Sequence, residues 1–543
     1  MIGVLVLSVS AGVYSVAGVA GVAGSNAGSS SQEPNLLLIV ADDLGYADLG
    51  SFGSTIRTPN IDAFAAEGIR FTRFQTAPMC APSRAMLLSG HNNHVAGVAR
   101  QSSVSLGGHP YPGYEGGLSD RVSPFPKRLR DAGYRTYSVG KWQLGMSAEF
   151  SPTAAGFVRS YNLLNGSASH WDSTGMYEGG TSYWSDGDFT EYPEGRYSTE
   201  LYTDKLLDFF EADKGSDRPF FAYVAYTAPH WPLQVPEKER QRYAGQYDGG
   251  YDDLRQDNFR RLQATGIVPV GSRLPPRNPS IPPWDTLNEQ ERRRESRKME
   301  LYAAMVENLD GHVGRLVRYL KKTNQYQNTL IVFLSDNGAS GTDFYNGGPF
   351  RDYIRAHYDN SFEKMGTPES FVSYGPPWAE AGSAPFARYK GYTYEGGITA
   401  PFIIAGPDID RSGDIDAEFF SIMDVAPTLL DAAGLMTGSS ADHAPMLGES
   451  MLPYLSGSSA SIHSKDYVTA LYHSGRAFLR QGKWKLATLE PPFDERKFAL
   501  FDLASDPGET RDLKSIHPDK FKELIELWRE RRRTLGILLP EDL

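Results

Sequence analysis

The sequence predicts an α/β fold, a large mixed and mostly parallel sheet flanked by helices, with a smaller C-terminal α+β domain. Three observations predict it. Short runs rich in branched and aromatic residues, at 36–40, 135–139, 220–226, 329–334 and 401–405, read as fully buried strands. Helix-period segments separate them. Leu301, Met305, Leu309, Val313, Leu316, Val317 and Leu320 form one apolar stripe on a helix that leads directly into the run at 329. Alternation of this kind covers both faces of a sheet with helices. After about residue 440 the pattern changes: 466–472, 477–480, 484–488 and 499–503 read as short antiparallel strands. An amphipathic helix carrying Phe521, Leu524, Ile525 and Trp528 follows them.

Three segments are expected: an export signal at 1–27, a catalytic domain at 28–440 and a C-terminal domain at 441–543. The first is a Gly/Ala/Val-rich apolar run ending in Ser25-Asn26-Ala27, small residues of the kind a signal peptidase reads. An uncleaved membrane anchor is the other reading, although dense glycine argues against a stable span. The expectation is a periplasmic or secreted protein without stable membrane association. Residues 267–284 and 338–388 lack periodicity, and loops of such length in a compact domain are usually binding walls or lids.

Composition narrows the partners. Hydrophobic residues make up 40% and charged residues 22%, values of an ordinary folded protein. The formal charge is −12, and no dense Lys/Arg block could neutralise a run of phosphates, which argues against nucleic acid. An anion site here must therefore supply its own local positive charge. The single cysteine, Cys80, excludes intrachain disulfides.

In open α/β sheets ligands sit outside the carboxyl ends of the strands, so the residues just after each run carry the information. The run at 36 leads into Asp42-Asp43, the run at 135 into Gly140-Lys141, the run at 220 into Pro229-His230 and the run at 329 into Asp336-Asn337-Gly338. Parallel neighbours would bring all of these to one edge. Each alone has an ordinary explanation: the acidic pair as a helix start, Asp336-Asn337-Gly338 as a turn, Lys141 and Lys390 as solvated lysines. His94 and His312 read as structural or surface histidines. Cys80-Ala81-Pro82-Ser83-Arg84 opens a helix, with Cys80 at or near the N-cap where free N–H groups favour an anion, and Arg84 one turn on.

C-x-P-S-R is the signature of sulfatases whose cysteine is oxidised to formylglycine, and the chain resembles that family over roughly residues 35 to 515. Ala41-Asp42-Asp43-Leu44-Gly45, Thr58-Pro59-Asn60-Ile61-Asp62, Gly140-Lys141-Trp142, Pro229-His230, Ser335-Asp336-Asn337-Gly338, Lys390 with Glu395-Gly396-Gly397, Asp424-Val425-Ala426-Pro427-Thr428 and Leu500-Phe501-Asp502-Leu503 resemble family segments in family order. His94-Val95-Ala96-Gly97 and the stretch from Ala384 to Lys390 are similar to the bacterial alkyl- and arylsulfatase branch.

The resemblance implies an alkaline-phosphatase-like fold and hydrolysis of an aryl, alkyl or related sulfate monoester, small-molecule or glycan, through a sulfo-enzyme intermediate on formylglycine. It implies Asp42, Asp43, Asp336 and Asn337, with residue 80, around Ca²⁺, Mg²⁺ being possible. Arg84, Lys141 and Lys390 are implied to hold sulfate oxygens and His230 to protonate the leaving oxygen. A formylglycine-generating maturase is the implied partner. One departure stands out: Gln143 occupies the place of the family's usual His, and an amide accepts a hydrogen bond but cannot take a proton. Thr399, replacing an Arg, reads as structural. Two rival readings are a phosphonate or phosphate ester hydrolase on the same scaffold and a non-catalytic sulfated-glycan-binding protein.

Overall fold

Alternation within β1 (Asn35–Ala41) explains why its apolar run is unbroken. Leu37, Ile39 and Ala41 enter one apolar core, Leu36, Leu38 and Val40 enter a second on the opposite face, and all seven residues are buried. The computed structural model describes residues 33–101, 111–407, 409, 411–435, 443–539 and 542. The apolar run at 1–27 lies outside them.

The other strands of the large sheet are β2 (Ile69–Gln75), β3 (Arg135–Lys141), β4 (Arg159–Leu163), β5 (Tyr183–Ser185), β6 (Asp188–Thr190), β7 (Phe220–Ala225), β8 (Thr329–Ser335), β9 (Phe402–Ala405) and β10 (Asp414–Ser421). Their spatial order is β10-β2-β9-β8-β1-β7-β3-β4-β5-β6. The centre, β8-β1-β7-β3-β4, is parallel throughout. β9 runs antiparallel between β2 and β8, with Phe402 beside Leu334. Its amino end therefore lies at the carboxyl edge of β8, so the chain leading into β9, which includes Lys390, reaches the edge where β1, β7 and β3 end.

The helix Glu289–Lys322 lays Leu301, Met305, Leu309, Val313, Leu316 and Leu320 on the first core. Asn288 caps it by a capping box with Glu291. The helices Cys80–Ser89, Phe125–Asp131 and Val425–Ala432 cover the opposite face. Among the described residues no helix is long and apolar enough to cross a membrane. The stretch 338–388 is not bare loop, since it holds the helices Arg351–His357 and Gly375–Gly382.

A second sheet, β11 (Val468–His473), β12 (Arg476–Gln481), β13 (Trp484–Ala487) and β14 (Ala499–Asp502), is an antiparallel meander. With Leu524, Ile525 and Trp528 of the helix Pro518–Thr534 it builds its own small core. By its contacts the chain from Glu33 to Leu543 nonetheless packs as one unit.

Candidate active site

The carboxyl ends of β1, β7, β3 and β8 converge on the start of the Cys80 helix. Two backbone bonds hold these ends in register: Asp336 N donates to Ala41 O at 3.2 Å, and Asp42 N donates to Ala228 O at 3.2 Å, in the turn that carries His230. Gly140, at φ 95°, lies against β7 so tightly that a Cβ would stand 1.9 Å from Ala225 O, and only glycine fits there. Lys141 follows as the last residue of β3. Lys390 is brought in by its own N–H on Ala339 O at 2.9 Å and by Gly391 N on Pro78 O at 2.8 Å, which ties its loop to the segment before Cys80. Cys80 is the first helical residue, with Met79 as the cap and no side-chain cap; Ala81 N donates to Gln101 Oε1 at 3.0 Å.

Asp42, Asp43, Cys80, Arg84, Lys141, Gln143, His230, Asp336, Asn337 and Lys390 are all buried. Each of the three acids has a cationic partner: Lys141 Nζ with Asp42 Oδ2 at 2.6 Å, Lys390 Nζ with Asp43 Oδ1 at 2.5 Å, and the Arg84 guanidinium with Asp336 Oδ2 at 2.8 Å and, more distantly, with Asp42 Oδ1 at 3.8 Å. Arg84 also donates to Lys141 O at 2.8 Å. Cys80 Sγ lies 2.9 Å from Lys390 Nζ, 3.5 Å from Asp42 Oδ1 and 3.7 Å from Asp43 Oδ1. Buried charges persist only when paired in this way.

Titration is governed by these neighbours. Burial raises the Asp43 carboxyl, but Lys390, then His230 and Lys141, outweigh it and hold the group well below the usual carboxylate range. Burial pushes the Cys80 thiol far up despite Lys141 and Lys390. Asp336 is raised by burial and by the charge of Asp42, against Arg84. Burial brings His230 down to about 3, partly opposed by Asp43. His230 Nδ1 faces Trp231 O at 2.7 Å, so Nδ1 carries the proton and Nε2, 3.3 Å from Asp43 Oδ2, is the free end of the ring.

The donor set fits a hard divalent cation. Asn337 donates from Nδ2 to Asp43 Oδ1 at 2.6 Å, while its Oδ1 is buried with no hydrogen-bond partner. An unmet buried acceptor beside carboxylates is what an oxygen-seeking cation satisfies. Ligand atoms of Asp42, Asp43, Cys80 and His230 lie within 4.8 Å of one another, so His230, expected at this edge as the proton donor, also stands among the candidate metal ligands. With three acids balanced by three bases, a dication would leave the pocket net positive and ready for an anion.

Gln143 stands in a left-handed turn at φ 55° after β3, its Oε1 buried and unpartnered. Its Nε2 lies over Gly166, where an added Cβ would be 2.3 Å from it and 3.5 Å from Gln101 Nε2. The two glutamine amides thus both lie beside Gly166, and Gln101 reaches on to the start of the Cys80 helix. His94 is fully buried, its Nδ1 3.3 Å from Asn93 Oδ1, and His312 lies on the flank of the long helix.

Sequence reasoning missed two residues. Gln101 takes a free N–H beside Cys80. His170 is buried, with Nε2 on His230 O at 3.2 Å and Nδ1 on Ser198 Oγ at 2.6 Å, which braces the His230 backbone. Nothing in Ala168-Ser169-His170-Trp171 signals that role, because it depends on a fold contact 60 residues away.

The sulfatase family model matches residues 34–435. An uncharacterized sulfatase of Schizosaccharomyces pombe is 36% identical over 545 residues, covering 95% of this chain and 96% of that protein. An arylsulfatase of Klebsiella aerogenes is 37% identical over 467 residues, covering 84% and 97%. The crystal structure of Ps i-CgsB in complex with k-i-k-neocarrahexaose superposes with a TM-score of 0.66 at 25% identity, over 92% of each chain. The phosphonate monoester hydrolase of Silicibacter pomeroyi shares the fold, with a TM-score of 0.55 at 19% identity, over 92% of this chain and 95% of that one. With Cys80, the acidic strand ends and the basic residues in one buried cluster, and with a family model that spans most of its length, the chain belongs to the sulfatase family.

Proposed function

We propose that the protein hydrolyses organic sulfate monoesters with residue 80 as formylglycine and a divalent cation, Ca²⁺ or Mg²⁺, held by Asp42, Asp43, Asp336 and Asn337. The observation that carries this reading is the position of Cys80 Sγ at a helix start, within 3.7 Å of Lys390, Asp42 and Asp43. A thiol kept protonated by burial is a poor nucleophile, which fits a residue whose chemistry begins after oxidation. Formylglycine at residue 80 would supply the attacking oxygen, and a cation held by Asp42, Asp43, Asp336 and Asn337 would supply Lewis-acid polarisation and positive charge toward an anionic ester.

The chain's own residues do the rest. Lys141, Lys390 and Arg84 hold sulfate oxygens and offset the charge that develops on them. His230, its Nδ1–H committed to Trp231 O, turns a bare Nε2 to the site; the negative charge of a bound ester favours protonation there, and the imidazolium so formed hands that proton to the leaving oxygen. Burial of all these groups excludes water and strengthens each interaction. The alcohol is an aryl, alkyl or sugar group; relatives of this fold have been solved with a neocarrahexaose and with D-glucosamine-2-N,6-O-disulfate. Maturation requires a formylglycine-generating enzyme, and export to the periplasm or beyond is inferred from the leader-like first 27 residues.

Rates of the purified enzyme on nitrophenyl sulfate and on a nitrophenyl phosphonate test the reading. Faster sulfate turnover is expected. Faster phosphonate turnover would make it a phosphonate hydrolase, and binding of sulfated glycan without turnover of either ester would make it a binding protein.

A further inference from the structure

The four-stranded sheet packs behind the segment that delivers Lys390 to the site. We propose that Lys485 and Glu509 are positioning residues for Lys390, so that the C-terminal sheet takes part in sulfate binding without touching the ester. The proposal rests on the reading of Lys390 as a sulfate ligand.

Each of the residues Tyr392 to Glu395 is held from behind by the C-terminal part. The Arg476 guanidinium lies 4.5 Å over the Tyr392 ring. Thr393 Oγ1 donates to Thr488 O at 2.8 Å. Tyr394 meets Phe501 edge-on at 5.4 Å. Glu395 accepts from Lys485 Nζ at 2.6 Å, and its backbone N–H donates to Glu509 Oε2 at 2.5 Å. Lys485 Nζ also pairs with Glu509 Oε1 at 2.8 Å. Thr399 closes the arrangement by donating to Glu395 Oε2 at 2.7 Å.

Lys485 is completely buried, and Glu395 and Glu509 are each only 5% exposed. One ammonium therefore serves two buried carboxylates, and removing it leaves two acids facing each other out of water. The pair is relieved by proton uptake on Glu509, which burial and Glu395 already hold above the usual carboxylate range, or by withdrawal of the segment carrying Glu395; either way the ion pair that fixes this segment is lost, and Lys390 lies five residues away on it. A lysine has a long stem with much rotamer freedom, so its ammonium reaches Asp43 and Cys80 reproducibly only if its backbone is fixed. On the front side that backbone has two bonds, to Ala339 O and Pro78 O. From behind, the C-terminal sheet and the chain around it hold the segment through Tyr392, Thr393, Tyr394 and Glu395.

A double-mutant cycle distinguishes positioning from general support. kcat/KM is measured for wild type, Lys485→Met, Lys390→Ala and the double variant, on whichever ester the wild type hydrolyses. Failure of the sulfatase reading and failure of this one are thereby separate results. Lys485→Met is expected to lower kcat/KM about tenfold in the wild-type background and less than about twofold when Lys390 is already alanine, the non-additivity of residues acting through one another. Lys485→Arg, which keeps the shared cation, should recover most of the loss. Should Lys485→Met fail to fold, Thr393→Val, which removes one buried hydrogen bond and adds no unpaired charge, takes its place in the cycle. Equal fold losses with and without Lys390 would overturn the proposal and leave the sheet a purely structural support.

Discussion

Lys390 Nζ stands 2.9 Å from Cys80 Sγ although the two residues are 310 apart in the chain. The contact exists because β9 is antiparallel: the chain entering it passes the same sheet edge at which the parallel strands end. A candidate nucleophile, two acids and two lysines thus meet in one buried volume, where the loss of any one charge is felt by its neighbours.

Removal of Asp336 separates the metal role from the structural one. Asp336→Ala is expected to be inactive at any ordinary Ca²⁺ or Mg²⁺ concentration, whereas wild type stripped by EDTA recovers on adding either ion. The same substitution leaves Arg84, fully buried, without its 2.8 Å partner, and should cost about 3–5 kcal/mol in urea unfolding. Full activity after confirmed metal removal would rule the cation out.

Gln143 offers an amide where the family resemblance expects an imidazole, and its unpartnered Oε1 cannot take up a proton. General base catalysis typically contributes ~10²–10⁴-fold, so a burst of alcohol release followed by slow turnover is expected. Gln143→His should speed the slow phase and leave the burst nearly unchanged. No burst in wild type, and no gain in the variant, would mean that another group already serves as base.

The residues at the strand ends were legible in the sequence because each followed an apolar run that could only be a buried strand. The carboxyl ends of β1, β3, β7 and β8 gave Asp42, Asp43, Lys141, His230 and Asp336 in this way. β2 and β10 were not legible: Arg70 and Arg73 interrupt the apolar residues of β2, and Asp414 and Asp416 flank Ile415 in β10, because toward the sheet edge charged side chains find partners of their own, Arg70 on Ser51 O and Gly413 O and Asp416 on Arg411. His170 and Gln101 escaped for another reason. They act on backbone atoms, of His230 and Ala81, and a backbone acceptor or donor leaves no mark on sequence.

His170 also sets a pH dependence. Its Nε2–H donates to a carbonyl and its Nδ1 accepts from Ser198, so the folded ring is neutral, and burial brings it down to about 4. The unfolded ring titrates near 6.5 and binds the proton first, so the stability His170 provides is complete above about pH 6.5 and is lost as pH falls toward 4. The stability difference between wild type and His170→Gln should therefore shrink by about 1.4 kcal/mol per pH unit across that window in urea titrations. A pH-independent difference would mean that the folded ring takes up a proton as readily as the unfolded one.

The proposed chemistry begins with an oxidised residue 80. Peptide mass spectrometry on the active enzyme, with the peptide spanning residue 80 quantified against turnover, is the decisive measurement. Activity is expected to scale with the fraction carrying the formylglycine aldehyde, and Cys80→Ser, with one hydroxyl where two are needed, is expected to be inactive. Full turnover by a preparation in which residue 80 is entirely unmodified cysteine would refute the formylglycine mechanism.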